Sequence, residues 1–255
     1  MKIAIPARFA SSRFPGKPLA LINGKPMIEH VWRRAVLAAD SPTDVAVATD
    51  DPRIADAVAA FGGKAVMTAA DHENGTERLA ELADIMALAD DEIVVNVQGD
   101  EPLIDPALIR LVGQALANQP DAGIATAADR IQDEQALHDP AIVKTVTDRQ
   151  GFAHYFSRAA LPHNRDGGAP LSAYPYARHI GIYAYRAGTL RFLSTSEPSP
   201  TEQVEKLEQL RALWHGIKIY VADYDGPPSV GVDMPGDIAL VEAILAKPQR
   251  SEQTP

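Results

Sequence analysis

The chain has 255 residues, no cysteine, 46% hydrophobic and 23% charged residues, and a formal net charge of −10. This length and composition predict one globular domain, and the missing cysteines exclude a disulfide framework, a thiolate metal site and a cysteine nucleophile. The acidic balance argues against nucleic-acid binding, and no apolar run suits a signal peptide or a membrane span, so we expect a soluble cytoplasmic protein.

Short runs rich in Val and Ile alternate with amphipathic stretches in the first half of the chain. This pattern is typical of βαβ units and predicts an α/β fold with a doubly wound, mostly parallel sheet. The predicted strands cover residues 3–5, 45–48, 64–67, 93–97 and 123–128. The predicted helices cover residues 27–39, 51–61, 76–88 and 107–117.

The pattern changes after about residue 130, where the predicted strands become antiparallel. These strands cover residues 143–147, 152–157 and 179–185. We expect residues 130–190 to form a small lobe, inserted in a single domain of residues 1–246, that binds a second substrate or a partner subunit. A helix over 201–215, a strand over 217–221, a helix over 235–246 and a disordered polar tail over 247–255 complete the prediction.

Positive charge is concentrated at the beginning of the chain. Residues 1–34 hold seven Lys or Arg residues and one acid, a net charge of +6, so the remaining residues carry −16. Arg8, Arg13 and Lys17 lie among small residues and prolines in the loop after the first strand. Such a loop lets backbone N–H groups approach a polyphosphate while the cations neutralise its charge. It predicts a phosphate site, with a basic surface loop as the alternative.

Two aspartates are candidate ligands of a metal ion. Asp100 follows the predicted strand 93–97, and Asp233 lies just before the last predicted helix. A carboxylate at a strand end beside a cationic phosphate loop suits a Mg²⁺ ion that bridges to phosphate oxygens. The alternative is structural: Asp100 closes a strand in a turn, and Asp233 caps a helix.

Three further groups of residues have both a structural and a functional interpretation. At the helix start near residue 76, Thr76 or Asn74 is the expected cap, and Arg78 is placed to contact a base or a phosphate. Glu208 and Gln209 belong to a helix whose apolar face favours a core role over a ligand contact. The histidines have no metal-binding spacing, which makes a histidine metal site improbable.

Eight stretches of the chain, in one order, resemble the 3-deoxy-manno-octulosonate (Kdo) cytidylyltransferases, the CMP-Kdo synthetases of lipopolysaccharide synthesis. The resemblance implies a Rossmann-like nucleotidyltransferase fold, a homodimer, Mg²⁺, and the reaction CTP + Kdo → CMP-Kdo + pyrophosphate. The first stretch, residues 5–19, reads IPARFASSRFPGKPL. The others are residues 47–50, 75–81, 95–102, 155–158, 178–183, 207–211 and 232–235.

The resemblance also implies roles for individual residues. The residues implied for CTP are Ala7, Arg8, Ser12, Lys17, Gly75, Thr76 and Arg78. Those implied for the sugar acid are Gln98, Arg158, His179, Tyr183, Glu208 and Gln209. Asp100 and Asp233 are the implied Mg²⁺ ligands and, together with Lys17 and Arg8, the implied catalytic residues.

Two residues depart from the family pattern beside Asp233. Met234 stands where the family usually has threonine, and Gly236 where it often has glutamate. The loop over 164–176 is also variable in the family. These departures leave open a related acceptor, 8-amino-Kdo or sialic acid, and a non-catalytic nucleotide-binding module is the remaining alternative.

Overall fold

The computed structural model describes residues 1–10, 14–72, 74–167, 171–172 and 174–246. The strands are β1 (Lys2–Ala7), β2 (Leu21–Ile22), β3 (Lys25–Pro26), β4 (Val45–Thr49), β5 (Lys64–Met67), β6 (Ile93–Asn96), β7 (Ile124–Arg130), β8 (Lys144–Thr147), β9 (Ala153–Ser157), β10 (Ala177–Arg186) and β11 (Ile219–Asp223). The helices are α1 (Met27–Ala38), α2 (Pro52–Ala60), α3 (Gly75–Ile85), α4 (Pro106–Ala117), α5 (Glu134–His138), α6 (Ala187–Thr195), α7 (Pro200–Glu205), α8 (Gln209–Trp214) and α9 (Asp237–Leu245).

The main sheet runs in the order β11-β7-β10-β6-β1-β4-β5. Strands β6, β1, β4 and β5 are mutually parallel, and β11 is parallel to β7. Strand β10 lies between β6 and β7 and is antiparallel to both. The predicted α/β fold with a mostly parallel sheet is therefore confirmed, with one antiparallel strand near its centre.

Helices cover both faces of this sheet because successive strand residues point to opposite sides. In β1, Ile3 and Ile5 join the core formed with α1, α2 and α4, whereas Ala4 joins the core formed with α3, α6 and α8. All five residues of β4 are buried, as a strand covered on both faces requires. The apolar runs in the sequence are therefore the buried strands of a doubly wound sheet.

The predicted antiparallel strands form a hairpin beside the start of β10. Strand β8 pairs with β9 and with the first residues of β10, while the later residues of β10 belong to the main sheet. The pairing of β10 with β7 shifts register between Ile180 and Tyr183, which marks a bulge. The role of residues 130–190 as a binding or dimerisation lobe stays a prediction.

The single helix predicted over 201–215 is wrong. Helix α7 ends at Glu205, since Lys206 adopts a left-handed conformation with φ of 55°, and α8 begins at Gln209. Val204 occupies a position that the helical spacing assigns to the core, yet it is 84% exposed. The apolar spacing thus predicted one helix where the structure has two short helices separated by a turn.

Three elements were absent from the sequence prediction: the β2–β3 hairpin and the helices α5 and α6. Helix α6 follows β10 without a connecting loop, and its second and third residues, Gly188 and Thr189, are poor helix formers. The predicted disordered tail over 247–255 lies outside the described residues. None of the helices within the described ranges combines the length and apolar composition needed to cross a bilayer.

Candidate functional site

A cavity of about 290 Å³ lies beyond the carboxyl ends of β1 and β6. Its position is the one expected for ligands of an open α/β sheet. The lining residues come from the loops after these strands, the start of α3 and the turn before α8. They are Pro6, Ala7, Arg8, Lys17, Pro18, His72, Asn74, Gly75, Arg78, Gln98, Gly99, Asp100 and Glu208.

The loop after β1 brings Arg8 and Lys17 to the same cavity. The N–H of Gly16 donates to the carbonyl of Phe9 at 2.9 Å, which closes the loop just before Lys17. Gly16 has φ of 71°, and a Cβ there would lie 3.0 Å from the Phe9 ring, so both the turn and the packing require glycine. Ser12 and Arg13 of this loop lie outside the described residues.

Lys17 connects three segments that are far apart in the sequence. Its Nζ donates to Oδ2 of Asp100 at 2.6 Å and to the carbonyl of Val232 at 2.9 Å. The Lys17 side chain is 14% exposed and that of Asp100 is 35% exposed, so the pair is accessible from the cavity. The predicted neighbourhood of a cationic loop and a strand-end carboxylate is thus present in the structure.

Only some of the positively charged side chains in the first 34 residues line this cavity, among those that the structure describes. Lys2 pairs with Asp44 at 2.6 Å, and Arg33 pairs with Glu29 at 2.7 Å on the surface of α1. Among the described cations of this segment, Arg8 and Lys17 line the cavity. The phosphate-binding interpretation therefore depends on two described cations, and the other described ones serve local ion pairs or hydrogen bonds.

The start of α3 forms the opposite wall. Asn74 caps this helix by accepting from the N–H of Glu77 at 2.9 Å, so Asn74 rather than Thr76 is the cap. Arg78 is 3% exposed, and its guanidinium donates to Oγ1 of Thr68 at 2.5 Å and lies 3.2 Å from Oδ1 of Asp50. Arg78 is therefore a fixed cation in the cavity wall.

His72 lines the cavity and was not among the predicted site residues. Its Nε2 lies 2.5 Å from Oε2 of Glu81, and the same oxygen accepts from the N–H of Ala69 at 2.8 Å. Glu81 on α3 thereby anchors the loop that carries His72. The spacing of His72 from Glu81, nine residues across a loop and a helix, carries no local sequence signal.

The predicted sugar-binding residues fall into two groups, of which one lies at the cavity. Gln98 and Glu208 line it, and Gln209 lines a smaller recess that shares Asn74 and Glu208 with the cavity. Thr76, predicted for CTP, lines this recess, and its hydroxyl donates to Oε2 of Glu208 at 3.4 Å. Desolvation raises the pKa of the Glu208 carboxyl above its ordinary value, and the negative charge of Glu202 adds to this.

Gln209 has an unusual environment for an amide side chain. It is 8% exposed, and its buried Nε2 has no hydrogen-bond partner among the residues that the structure describes. A buried donor without a partner costs free energy, which is recovered when a ligand supplies an acceptor. This feature supports a ligand contact over the core role that the sequence favoured.

His179 and Tyr183 pack together on β10, outside the set of described residues that lines the cavity. The His179 ring lies 4.9 Å from that of Phe156 and 5.5 Å from that of Tyr183, and its Nε2 is 3.0 Å from Oγ1 of Thr126. Burial lowers the pKa of His179 to about 3 and raises that of Tyr183 well above its ordinary value. Both side chains are therefore neutral near pH 7.

Arg158 is also directed away from the described cavity lining. Its Nε donates to the carbonyl of Glu205 at 2.8 Å and its Nη1 to the carbonyl of Pro140 at 3.0 Å. The guanidinium thereby attaches the end of β9 to α7 and to the segment before β8. In this conformation Arg158 has a structural role, and its contact with the sugar stays a prediction.

Asp233 is exposed and is not among the described residues that line the cavity, but the segment that carries it adjoins Asp100. The N–H of Val232 donates to the carbonyl of Asp100 at 2.9 Å, which places the two aspartate-bearing segments side by side. Asp233 does not cap the last helix: its own N–H and that of Met234 donate to Oδ2 of Asp237, each at 2.8 Å. These bonds lower the pKa of the Asp237 carboxyl.

The donor set near Asp100 suits a hard divalent cation. Within the described ranges, no group of three or more His, Cys, Asp or Glu residues is arranged to hold a metal ion. Asp100 lines the cavity and Asp233 lies on the adjoining segment, and Mg²⁺ is commonly held by one or two carboxylates plus substrate phosphates. The residues present therefore fit a cation that is shared with a phosphate ligand.

The sequence matches the profile of the family described as "Cytidylyltransferase" over residues 3–219. It is 52% identical over 247 residues to the 3-deoxy-manno-octulosonate cytidylyltransferase of Vibrio vulnificus (strain YJ016), which covers 96% of this chain and 97% of the relative. It is 53% identical over 241 residues to the protein of the same name from Idiomarina loihiensis, covering 92% and 94%.

Two solved structures are also similar to this chain, one in sequence and fold and one in fold alone. The structure of CMP:2-keto-3-deoxy-manno-octonic acid synthetase complexed with CTP is 43% identical, with a TM-score of 0.86 over 96% of this chain and 98% of that chain. A cytidylyltransferase from Leptospira borgpetersenii is 17% identical with a TM-score of 0.59 and shares the fold alone. The chain belongs to the 3-deoxy-manno-octulosonate cytidylyltransferase family and is a nucleotidyltransferase.

Proposed function

We propose that this enzyme transfers CMP from CTP to Kdo and releases pyrophosphate. The observation that carries the proposal is the strand-end cavity where Lys17 meets Asp100, in a chain that is 43% identical to a synthetase solved with CTP. Paired carboxylates beside a phosphate loop also disfavour a purely nucleotide-binding module, which has no need of them.

The triphosphate belongs at the Lys17 end of the cavity and the nucleoside beside α3. Arg8 and Lys17 supply positive charge for the phosphates, with Ser12 as a further predicted contact. Asn74, Gly75 and Arg78 at the start of α3 border the other side. Because Arg78 is held by Thr68 and Asp50, it needs no rearrangement to meet a nucleotide.

The sugar acid belongs at the end of the cavity formed by Gln98, Glu208 and the adjoining recess with Gln209. The unpartnered Nε2 of Gln209 is a donor for a sugar oxygen, and the Glu208 carboxyl is an acceptor for a hydroxyl. His179 and Tyr183 on β10 support this side from within the protein. Arg158 meets the sugar only if it exchanges its two carbonyl partners for the ligand.

The chemistry is an in-line displacement at the α-phosphorus. The anomeric oxygen of the sugar forms a bond to phosphorus, the bond to the β-phosphate oxygen breaks, and the hydroxyl proton passes to solvent. All the reacting groups are rich in oxygen and negative charge, so positioning and charge neutralisation supply most of the acceleration. Lys17 and Arg8 neutralise charge that grows on the leaving pyrophosphate, and no dedicated general base is required.

Asp100 and Asp233 would hold Mg²⁺ in this scheme. When bound, Mg²⁺ supplies charge neutralisation at the phosphates and acidifies the sugar hydroxyl. We also retain as predictions a cytoplasmic homodimer and the assignment of residues 130–190 to sugar binding and dimerisation.

Pyrophosphate release from CTP, measured with one candidate acceptor at a time, tests the proposal. We expect release with Kdo and Mg²⁺, and little release when UTP or ATP replaces CTP. Release with 8-amino-Kdo or sialic acid but not with Kdo would contradict the acceptor assignment. No release with any of these acids would contradict the enzymatic function.

A further inference from the structure

The segment that carries Asp233, residues 224–233, has no regular secondary structure. It follows β11, and we call it the strap. No helix or strand fixes it, so the position of Asp233 depends on individual contacts. The strap crosses the segment 98–105 that follows β6 and carries Asp100.

Four polar contacts join the strap to the segment 98–105 and to Lys17, and the buried side chain of Val232 also packs in a small core cluster with Ile22, Met27 and Val241. The hydroxyl of Tyr224 donates to Oδ2 of Asp105 at 2.8 Å at one end. At the other end the N–H of Val232 donates to Asp100 and its carbonyl accepts from Lys17, each at 2.9 Å. Between them the hydroxyl of Ser229 donates to Oε2 of Glu101. Both ends and the middle of the strap are thus attached to the segment 98–105 that carries Asp100.

The bond between Ser229 and Glu101 joins the strap to the residue next to Asp100 through two side chains. Glu101 is the residue after Asp100, and Ser229 lies four residues before Asp233. The bond therefore connects the two aspartate-bearing segments through side chains next to, but separate from, the candidate ligands. Without it, this end of the strap keeps the backbone bond to Asp100, the Lys17 contact, the packing of Val232 and the bond from the Asp233 N–H to Asp237.

We propose that Ser229 and Glu101 are positioning residues, which hold the strap so that Asp100 and Asp233 act on one cation together with the phosphates of CTP. This inference rests on the proposed function. Groups that orient metal ligands control metal affinity although they do not touch the metal. The bond would therefore determine how strongly Mg²⁺ and CTP support each other's binding.

Isothermal titration of CTP, once with Mg²⁺ and once with EDTA, measures this coupling directly. The ratio of the two dissociation constants is the gain in CTP affinity due to Mg²⁺. We expect Ser229→Ala to reduce that ratio by about 10-fold or more, because the strap then loses its middle attachment. Ser229→Thr keeps the hydroxyl and should keep the ratio.

A second serine provides a matched control. The hydroxyl of Ser157 donates to Oε1 of Glu205 at 2.6 Å, a Ser–Glu bond remote from the strap. The Ser157→Ala variant should keep the ratio of CTP dissociation constants, even if the melting temperature of this variant is lower. Glu101→Ala should reproduce Ser229→Ala, and the double variant should lose no more than either single variant, because both remove the same bond.

The outcomes separate this inference from the proposed function. If Ser229→Ala weakens CTP binding equally with Mg²⁺ and EDTA, or leaves both unchanged, the positioning role is wrong. It is also wrong if the unsubstituted enzyme shows no Mg²⁺-dependent gain. Turnover of CTP with Kdo by the unsubstituted enzyme is measured separately, so the failure of one idea does not conceal the failure of the other.

Discussion

The ammonium group of Lys17 lies 2.6 Å from a carboxylate oxygen of Asp100, although the two residues are 83 positions apart in the chain. The pair places a cation and an anion in one wall of the cavity, where a triphosphate brings further negative charge. Lys17 also donates to the carbonyl of Val232 and so contributes to holding that end of the strap. This relationship is the centre of the proposed chemistry.

Asp100→Ala should lower kcat by about 100-fold or more while the fold remains intact. The Asp100 side chain is 35% exposed at the cavity, so its removal takes little from the core. Pyrophosphate release measures turnover, and circular dichroism measures the fold. Asp121→Asn, an exposed carboxylate paired with Lys218, is the matched control and should retain normal turnover. Near-normal turnover of Asp100→Ala would remove Asp100 from the mechanism.

Lys17→Ala should also lower kcat by about 100-fold, because charge on the leaving pyrophosphate loses one of the cations that line the cavity. The kcat of Lys17→Arg should lie between those of the unsubstituted enzyme and Lys17→Ala, since the charge is kept but a planar guanidinium replaces a compact ammonium group. Steady-state kinetics with CTP and Kdo provide the measurement. Lys25→Ala removes a lysine from the same N-terminal segment, 3.6 Å from Glu29, and should have no effect on kcat. Equal losses in the Lys17 and Lys25 variants would contradict a specific role for Lys17.

Asp50→Asn should raise the KM for CTP by about 10-fold, with kcat changed by less than about twofold. Asp50 lies 3.2 Å from the guanidinium of Arg78, and the Arg78 side chain is 4% exposed. Asp50 therefore orients a buried cation at the start of α3, where we place the nucleoside. Asn preserves the shape and removes the charge. Asp56→Asn on the exposed face of α2 is the control. A fall in kcat at unchanged KM would show that Arg78 acts on the reaction rather than on nucleotide binding.

Much of the cavity could be predicted from strand order and loop composition. Asp100 follows a Val- and Ile-rich run, and Lys17 follows another, so their meeting at the carboxyl edge of a parallel sheet is a direct consequence of the fold. The contributions of Asp50 and Glu81 could not be predicted in this way. Asp50 meets Arg78 through the packing of α3 beside the end of β4, and Glu81 meets His72 because the loop before α3 folds back along the helix, and no local spacing records either contact.

Lowering the pH should destabilise the protein through His179. The pKa of His179 is lowered from 6.5 to about 3 by burial, so below pH 6.5 the unfolded chain binds a proton that the folded chain does not. Stability therefore falls as the pH decreases from about 6.5 towards 3, by up to about 1.4 kcal/mol per pH unit from this group.

Urea unfolding at about pH 7 and about pH 5 measures this effect. His179→Gln removes the titrating ring and should reduce the difference in unfolding free energy between the two conditions. His154→Gln, at an exposed position on β9, should leave the difference unchanged. An unchanged pH dependence in His179→Gln would mean that other groups cause it.

Lys206→Gly should stabilise the protein by about 1 kcal/mol, because glycine adopts the left-handed conformation without the penalty that a side chain incurs. Gln203→Gly, at an exposed position within α7, should instead destabilise by about 1 kcal/mol. Thermal unfolding distinguishes the two. If both variants are destabilised equally, residues 201–215 form a continuous helix as the sequence predicted, and the break at Lys206 is wrong.

That break also explains why the site near Glu208 and Gln209 was harder to predict than the phosphate loop. A continuous helix directs Leu207, Leu210 and Leu213 to the core and leaves Glu208 and Gln209 beside them. In the structure, Gln209 begins a separate helix, and its buried Nε2 finds no hydrogen-bond partner within the described part of the chain. The left-handed turn at Lys206 depends on tertiary packing, and a lysine there gives no local signal for it.

The proposed transfer of CMP to Kdo is tested most directly by the initial rate of pyrophosphate release from CTP in the presence of Kdo and Mg²⁺, together with the mass of the product. We expect one CMP-Kdo to form for each pyrophosphate released, and Asp100→Ala to lose both. Pyrophosphate release that proceeds without Kdo, or no release with Kdo, would show that the proposed reaction is wrong.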